Sequence, residues 1–291
     1  MPHYKYLIAG GGMTAESAVR GIREVDPDGS IGLISAEPDP PYDRPPLSKG
    51  LWKGKALESI WRKLENQGVD SYLGRRLQTL DARNKRVVDA QNVSYTFDKL
   101  LLATGGSPAR LPFGDDRIIY FRTLADYKRL RELATPSKKI AVIGGGFIGS
   151  EIAAALTLNG IHVVLIFPNA SLGSQVYPLE LSRFVTAFYQ GKGVEVLAET
   201  SAIGLDLRPQ QLALKIHSDR TGSDCEILVD GIVAGLGIQP NVELAQMADL
   251  QVEDGIVVDE FLRTRQPDIY AAGDVAAFYN PALGKRIRVE H

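Results

Sequence analysis

Two glycine-rich turns are the part of this chain whose residue types and spacing point most directly to chemistry. Each turn has three small residues in the spacing G-x-G-x-x-G/A: Gly10, Gly12 and Ala15 in the first, and Gly144, Gly146 and Gly149 in the second. In this pattern the first glycine permits a tight turn, the second lets the backbone approach a pyrophosphate, and the third small residue lets a helix pack on a strand. The pair of turns therefore predicts two dinucleotide sites, although one such turn alone would be weak evidence.

A residue that binds the ribose hydroxyls is expected about 20 residues beyond each turn. In the first unit Glu37 follows the apolar run IGLIS and meets this requirement. In the second unit Asn169 follows the run IHVVLIF and is not acidic. No Lys or Arg lies between Asn169 and Glu180 that could hold a 2′-phosphate. The residues of the second site therefore specify the choice between NADH and NADPH only weakly. We expect a modest preference for NADH over NADPH.

Both turns belong to a longer internal repeat. Residues 6–20 (YLIAGGGMTAESAVR) are similar to residues 140–154 (IAVIGGGFIGSEIAA), and residues 97–108 (FDKLLLATGGSP) are similar to residues 229–240 (VDGIVAGLGIQP). Two similar units of about 130 residues therefore lie in tandem. Since strands alternate with helices in each unit, we predict an α/β fold with two Rossmann-like domains built on parallel sheets.

The elements expected from this pattern can be given as ranges. Helices are predicted at 14–24, 124–134, 148–158 and 179–192. The main strands are predicted at 6–9, 30–35, 100–103, 140–143, 162–166, 231–234 and 269–272, and hairpin strands at 86–89, 94–97 and 212–217.

Composition excludes several classes of protein. The net charge of −2 gives no basic excess for a nucleic-acid partner. The single cysteine, Cys225, excludes an intrachain disulfide and a redox-active cysteine pair within this sequence. The four histidines have no metal-ligand spacing, so no metal is expected. No apolar run reaches about 18 residues and the N-terminus lacks a signal-peptide pattern. We therefore expect a cytoplasmic protein without a membrane partner.

At residues 41–49 the stretch PYDRPPLSK resembles a known family, the FAD-containing, NADH-dependent ferredoxin reductases of oxygenase systems and their relative apoptosis-inducing factor. Further stretches match along the whole chain: ATGGSPARL, GGGFIGSE, LIFPNASLG, GIQPNVELA, IYAAGD and RVEH. The stretches LIFPNASLG and PNVELA are more similar to the apoptosis-inducing-factor branch. The resemblance implies that the first turn holds FAD and the second holds NAD(P)H.

The resemblance also implies roles for individual residues. Arg44 and Lys49 would lie against the flavin, and Lys49 would pair with Glu151. We expect this pair to be buried and to act in catalysis. The other cofactor-binding residues implied by the matching stretches are Asp274 on the ribityl chain, Glu290 and His291 beside the flavin and nicotinamide, and Thr104, Gly105, Arg110, Phe147, Ile148, Gly237 and Gly273.

The domain arrangement and activity follow from the same resemblance. We expect an FAD-binding domain at about 1–117 plus 247–291, with an NAD(P)-binding domain inserted at 118–246. Family members continue beyond the RVEH stretch, so we expect the FAD domain here to be incomplete and a C-terminal interface domain to be absent.

The implied enzyme passes hydride from nicotinamide to flavin, and then electrons to an acceptor such as a ferredoxin, a quinone or a small oxidant. The alternative is a redox-sensing or regulatory flavoprotein with little turnover, like apoptosis-inducing factor. The sequence leaves the oligomeric state open, a homodimer included.

Overall fold

The computed structural model describes residues 1–290. They form five α-helices: α1 (Met13–Val25), α2 (Leu124–Leu133), α3 (Phe147–Leu158), α4 (Leu179–Gly191) and α5 (Glu243–Met247). They also form 21 strands: β1 (His3–Ala9), β2 (Ile31–Ile34), β3 (Val69–Tyr72), β4 (Leu77–Asp81), β5 (Arg86–Asp89), β6 (Ser94–Leu102), β7 (Gly106–Pro108), β8 (Ile118–Tyr120), β9 (Lys139–Ile143), β10 (His162–Ile166), β11 (Glu195–Leu197), β12 (Thr200–Leu207), β13 (Leu212–Ser218), β14 (Ser223–Val229), β15 (Gly231–Ala234), β16 (Ile238–Pro240), β17 (Val252–Glu253), β18 (Gly255–Val258), β19 (Ile269–Ala271), β20 (Ala276–Asn280) and β21 (Lys285–Arg288). Among these residues no helix has the length and apolar character that a membrane crossing requires.

The chain divides into two compact units. The first consists of Met1–Asp43, Glu58–Ser107 and the chain from Gln239 onward, and the second of Arg44–Leu57 and Pro108–Ile238. These limits differ from the predicted domains at three segments: 44–57 and 108–117 join the second unit, and 239–246 joins the first.

Packing explains two of these differences. Leu111 and Phe113 pack against the core that contains Ile118, which belongs to the second unit. Leu244 and Ala245 of α5 are buried in the core of the first unit. Apolar side chains outside the repeated motifs therefore set the limits of the units.

The first unit is built on a seven-stranded sheet with the order β3-β2-β1-β6-β5-β4, and β19 also pairs with β6. Strands β3, β2, β1, β6 and β19 run parallel, whereas β5 and β4 are antiparallel additions. All four residues of β2 are buried, as expected for a parallel strand covered on both faces. Strands β17, β18, β20 and β21 form a second, smaller sheet in this unit.

One predicted pair of strands is a single long strand in the structure. The predicted strands at 94–97 and 100–103 are joined in β6, whose side chains alternate in burial through most of its length. The first half of β6 pairs antiparallel with β5, and the second half pairs parallel with β19 from Leu100 onward. One strand thus belongs to the hairpin and to the parallel sheet, which separate local patterns do not reveal.

The second unit repeats the topology of the first. Its parallel sheet has the order β11-β10-β9-β15-β8, and β12, β13 and β14 form an antiparallel sheet of their own. In both units the strand before the glycine turn is central, with the next strand on one side and a later return strand on the other. The predicted α/β class with two Rossmann-like halves is confirmed, and the internal sequence repeat corresponds to a structural repeat.

Asp230 fixes the start of the return strand in the second unit. Its carboxylate accepts a 2.8 Å hydrogen bond from the backbone N–H of Lys139 and a 3.0 Å bond from the ammonium of Lys138. These two donors hold the pKa of the Asp230 carboxyl below its usual value, although partial burial acts in the opposite direction. The ionised form therefore stabilises the junction of β9 and β15.

Asp230→Asn should lower the free energy of unfolding by about 1–3 kcal/mol at pH 7, because it weakens hydrogen bonds to a charged group. A lowered pKa gives stability that is present above the unfolded-state value and lost as pH falls through the folded-state value. The difference between wild type and variant should therefore shrink below about pH 4 in urea denaturation followed by circular dichroism.

The matched control for this variant is Glu195→Gln. Glu195 forms a 3.1 Å ion pair with the side chain of Lys139 but is half exposed, so its loss should cost less than about 1 kcal/mol. Equal costs for the two variants at pH 7 would contradict the role assigned to Asp230.

Candidate functional site

The first glycine turn lies where β1 meets α1. Gly10 has φ +133°, and a Cβ atom there would collide with the carbonyl oxygen of Ala103 at the end of β6. Ala15 is fully buried in the core beneath the turn. Gly12 is the N-cap of α1, no side chain caps the helix, and a Cβ atom at Gly12 would meet nothing within 4 Å. The turn is closed on its inner side and open on its outer side.

The second glycine turn has the same construction between β9 and α3. Gly144 has φ +119°, and a Cβ atom there would collide with the carbonyl oxygen of Gly235. A Cβ atom at Gly149 would collide with the Gly144 carbonyl oxygen, so helix and strand are as close as the third glycine allows. Gly146 is an uncapped N-cap facing open space.

The first two side chains of α3 are exposed beside this open space. Phe147 and Ile148 are 57% and 38% exposed. The Phe147 ring makes an edge-to-face contact with Tyr177, with centroids 6.4 Å apart. An apolar surface therefore adjoins the second turn.

The turn after β19 approaches the first helix. Gly273 has φ +74°, and a Cβ atom there would collide with the hydroxyl of Thr14 in the first turn of α1. Asp274 follows in a short 3-10 turn. The structure thus brings two sequence-predicted positions, Gly273 and Asp274, to the N-terminal end of α1.

Arg288 connects this turn with Glu290. Its guanidinium is 9% exposed and forms a 3.0 Å ion pair with Glu290, and it donates a 3.4 Å hydrogen bond to the carbonyl oxygen of Asp274. Burial lowers the pKa of Arg288, but Asp254 and Glu290 outweigh it and raise the pKa overall. Glu290 is therefore tied to the Asp274 turn, and His291 lies outside the described residues.

Glu37 lies just beyond the carboxyl end of β2, as predicted. Its carboxylate accepts a 2.6 Å hydrogen bond from the hydroxyl of Tyr42, and its backbone N–H donates to the hydroxyl of buried Ser35. The side chain is therefore oriented by neighbours at the edge of the sheet where a ribose would bind.

Asn241 is a residue that the sequence reasoning missed. Its side-chain NH2 group donates to the backbone carbonyl oxygen of Thr104 at 2.8 Å. Its backbone carbonyl oxygen accepts from the Thr104 hydroxyl at 2.7 Å, and its backbone N–H donates to the Gly105 carbonyl oxygen. Asn241 therefore fixes the Thr104–Gly105 turn after β6. It stands in the quoted stretch GIQPNVELA, so the motif contained the signal.

Lys49 and Glu151 meet in the second unit. The Lys49 ammonium lies 2.9 Å from Glu151 Oε1, and the hydroxyl of Ser48 donates a 2.6 Å hydrogen bond to Glu151 Oε2. The Lys49 side chain is 54% exposed and that of Glu151 is 24% exposed. The predicted pairing is present, and the protein itself buries the pair only in part, because more than half of the Lys49 side chain is exposed.

Trp52 anchors the segment that carries Lys49. It is 4% exposed, and its ring packs edge-to-face on Tyr127 at 5.6 Å and against the Arg131 guanidinium at 4.9 Å. Its Nε1–H donates to the Leu47 carbonyl at 2.8 Å, and its carbonyl oxygen accepts from Asn159 at 3.1 Å. These contacts explain why residues 44–57 belong to the second unit.

Arg44, at the start of this segment, is held in the same unit. Its Nη1 donates a 3.0 Å hydrogen bond to the carbonyl oxygen of Arg122. A pocket of about 170 Å³ opens beside the Lys49–Glu151 pair, with Trp52, Leu158 and Tyr189 also in its wall. Burial, with the nearby charge of Glu151, raises the pKa of the Tyr189 phenol.

Asn169 lies beyond the carboxyl end of β10 and is half-buried. Its carbonyl oxygen accepts a 3.0 Å hydrogen bond from the backbone N–H of Glu199, whose carboxylate pairs with Arg220 at 2.8 Å. Glu199 and Arg220 both lie outside the stretch 169–180, so neither charge was predicted at this position. The basic group near Asn169 is therefore already paired with an acid.

Arg110 and Gly237 are the remaining predicted positions. The Arg110 guanidinium lies 4.7 Å from the centre of the Tyr120 ring. Gly237 has φ +84°, and its carbonyl oxygen accepts a 3.0 Å hydrogen bond from the N–H of Ala109. Both residues lie in the second unit, and Gly237 immediately precedes β16.

Comparison with known proteins agrees with this geometry. A family profile described as pyridine nucleotide-disulphide oxidoreductase matches residues 4–289. The chain belongs to this family. It is an FAD-dependent NAD(P)H oxidoreductase.

Curated relatives of this oxidoreductase come from both predicted branches. The chain is 34% identical to the 5,5'-dehydrodivanillate O-demethylase ferredoxin reductase subunit of Sphingobium sp., with 100% of the chain and 72% of the relative covered. It is 33% identical to apoptosis-inducing factor 1 of Dictyostelium discoideum, with 99% of the chain and 59% of the relative covered. These two sequence identities are too similar to decide between the ferredoxin-reductase branch and the apoptosis-inducing-factor branch.

A solved structure in the same comparison is the crystal structure of the covalent putidaredoxin reductase–putidaredoxin complex. Its TM-score with this chain is 0.91 at 30% sequence identity, and the match covers 100% of this chain and 72% of that one. The predicted family is confirmed.

The two turns of the oxidoreductase fit the cofactors that the family implies. Gly12 and Gly146 each leave open space at an uncapped helix N-terminus, where free N–H groups and the helix dipole favour a pyrophosphate. Both FAD and NAD(P)H contain a pyrophosphate. The residues present therefore suit two dinucleotides, one in each unit.

Within the Lys49–Glu151–Ser48 cluster, we expect the loss of Ser48 to destabilise the protein more than the loss of Lys49. Ser48→Ala should lower the free energy of unfolding by about 1–3 kcal/mol, because it removes a hydrogen bond from a buried hydroxyl to a charged group. Lys49→Ala should cost no more than about 1 kcal/mol, since the pair is half exposed. Urea denaturation of both variants checks the order.

Lys53→Ala is the control for these variants. Lys53 is an exposed lysine on the next turn, and its replacement by alanine should not change the free energy of unfolding measurably. A cost of about 3 kcal/mol or more for Lys49→Ala would show instead that the pair behaves as a buried one.

Proposed function

We propose that this oxidoreductase passes electrons from NAD(P)H through FAD to a ferredoxin. The observation that carries the proposal is the presence of two open pyrophosphate cradles in one sequence that has a single cysteine, the exposed Cys225. Without a second cysteine, these 291 residues cannot pass electrons through a disulfide of their own. The Sphingobium relative and the putidaredoxin reductase complex favour a ferredoxin over a quinone or a small oxidant as acceptor.

We assign FAD to the first turn and NAD(P)H to the second. The first turn has Glu37 in the ribose position, and the Gly273–Asp274 turn lies against the start of its helix. The second turn has exposed Phe147 and Ile148 beside it, which suit a flat nicotinamide ring. When bound, the two groups supply the hydride and electron chemistry.

The residues of the chain would position and polarise these groups. The N–H groups at the starts of α1 and α3 would bind the pyrophosphates, and Glu37 would accept hydrogen bonds from ribose hydroxyls. Lys49 would place a positive charge beside the flavin, with Glu151 holding its ammonium and Ser48 orienting the Glu151 carboxylate. This role requires no buried pair, because only the location of the charge matters.

A second candidate function is that of a redox-sensing flavoprotein with little turnover. The 33% identity to apoptosis-inducing factor 1 of Dictyostelium favours it. Stopped-flow mixing with NADH, followed by a one-electron acceptor, distinguishes the two functions. Rapid repeated turnover supports the reductase, whereas slow reduction of the flavin with little turnover supports the sensor.

The assignment of the two turns can be tested with paired variants. Gly12→Val should abolish FAD binding by filling the space that the pyrophosphate requires, and Gly146→Val should keep FAD but abolish its reduction by NADH. Both positions are open, so neither variant should unfold the chain. Flavin absorbance and anaerobic NADH titration measure the outcomes.

Gly21→Val provides the control, because Gly21 also faces open space but lies in the middle of α1. It should keep both FAD and NADH reduction, and it should not destabilise the chain, because valine has a higher helix propensity than glycine and the position has room for a side chain. Loss of flavin in Gly146→Val and its retention in Gly12→Val would reverse the assignment.

We also expect a modest preference for NADH. Asn169 can accept or donate a hydrogen bond to a ribose hydroxyl, and Arg220 would have to exchange its ion pair with Glu199 in order to bind a 2′-phosphate. The kcat/KM for NADH should exceed that for NADPH by a small factor, and Asn169→Glu should increase the ratio. A ratio at or below one in the wild-type protein would refute this expectation.

A further inference from the structure

Helix α4 turns two hydroxyl groups towards the protein and two phenylalanines towards solvent. Ser182 is fully buried, and its hydroxyl bonds to the Ser171 hydroxyl and the Leu172 carbonyl oxygen, each at 2.7 Å. One turn later, the hydroxyl of Thr186 accepts a 2.8 Å bond from the Leu172 N–H. These hydroxyl groups fix the helix on the second unit, and half-buried Val185 and Tyr189 share the same inward side. The inward side is therefore mixed in character, unlike the mainly apolar inward side of a usual amphipathic helix.

The outward side of α4 carries a continuous apolar stripe. Leu181, Phe184 and Phe188 stand at positions i, i+3 and i+7, so they share one face of the helix. They are 45%, 66% and 53% exposed. Exposed aromatic side chains in a contiguous patch are characteristic of an interaction surface.

Charged side chains lie at the two ends of this stripe. Glu180 is in the first turn of α4, and Lys192 follows its last residue. The Lys192 ammonium lies 5.3 Å from the centre of the Phe188 ring. Neither Glu180 nor Lys192 forms an ion pair with another residue of the described part of the chain. The stripe thus ends in an acid at one side and a base at the other.

We propose that α4 pairs antiparallel with α4 of a second copy of this chain. In the register that places Glu180 opposite Lys192, Phe184 lies opposite Phe188 and Leu181 opposite Gly191. Gly191 offers room for a side chain from the partner, since a Cβ atom there would meet nothing within 4 Å. Each contact occurs twice across a two-fold axis, as an isologous interface requires.

The charges at the two ends of α4 favour an antiparallel second copy of the helix over other partners and orientations. A parallel pair of helices would place Glu180 beside Glu180 and Lys192 beside Lys192, which is unfavourable. A uniformly acidic partner would match Lys192 but not Glu180. A surface with its own acid and base at the same spacing satisfies both ends, and α4 of a second copy is such a surface.

The size of the stripe determines the strength of the pairing. The helix has 13 residues, so it is about 20 Å long, and one helix from each copy buries less than the roughly 1,200–2,000 Å² of a stable complex. The dimer is therefore a weak one, in exchange with the monomer over an accessible range of protein concentration.

Sedimentation velocity of the full chain as a function of concentration tests the proposal. The wild-type protein should show reversible dimerisation. The double variant Phe184→Ser with Phe188→Ser should weaken it by about tenfold or more, because each copy loses both aromatic contacts. The matched control, Phe261→Ser, removes an equally exposed phenylalanine of the first unit and should leave the dimer unchanged.

Charge exchange tests the register itself. Glu180→Lys and Lys192→Glu should each weaken dimerisation several-fold, and the chain that carries both changes should recover wild-type affinity, because the pair is restored with its signs reversed. Thermal denaturation of each variant confirms that the monomer is folded.

Three outcomes would overturn the proposal. The first is a wild-type chain that stays monomeric at all concentrations. The second is a dimer that keeps its affinity when Phe184 and Phe188 are changed. The third is a double charge variant that is no better than the single ones. None of these measurements depends on bound cofactor or on activity, so they succeed or fail separately from the proposed function.

Discussion

The rest of this structure depends on a close approach between two backbones, which occurs once in each unit. Gly10 lies against the carbonyl oxygen of Ala103, and Gly144 lies against that of Gly235. Any side chain at either glycine would occupy the position of that carbonyl oxygen. The contact brings the end of the central strand to the end of the return strand, and it leaves the helix N-terminus facing the crevice between them. Binding at the carboxyl edge of a parallel sheet follows from this arrangement.

Other residues of the site, predicted or not, are organised around that contact. In the first unit Asn241 fixes the turn after Ala103, and Gly273 brings the following turn to the start of α1. In the second unit the side of α3 that carries Glu151 is covered by residues 44–57, with Trp52 as the anchor. Backbone geometry thus sets the cradles, and a few buried polar or aromatic side chains hold the neighbouring turns in place.

Local sequence patterns were sufficient for the four longer helices and for the two glycine turns, but not for the short helix α5. The predicted helices α1 to α4 differ from the observed ones by one residue at most at any end, because glycines and apolar spacing define their limits. Long-range partners were not predictable in the same way. Three features depend on which distant residues pack together: the continuity of β6, the position of Glu199 beside Asn169, and the exposure of Lys49.

Helix α4 shows that local sequence patterns also fail to predict which side of a helix is buried. Its apolar residues suggest a core-facing side, but the hydroxyl groups of Ser182 and Thr186 have partners beneath the helix and the phenylalanines do not. A pattern of apolar residues gives the face of a helix, whereas the available hydrogen-bond partners decide which face turns inward.

The placement of residues 44–57 has a consequence for protein engineering. A chimaera that exchanges only the continuous stretch 108–238 with that of a relative would separate Glu151 from Lys49 and Ser48. It would also leave Trp52 of the recipient facing a foreign counterpart of Tyr127 and Arg131. The exchangeable module is therefore discontinuous, and a graft that changes nucleotide preference must carry the 14-residue segment from Arg44 to Leu57 with it.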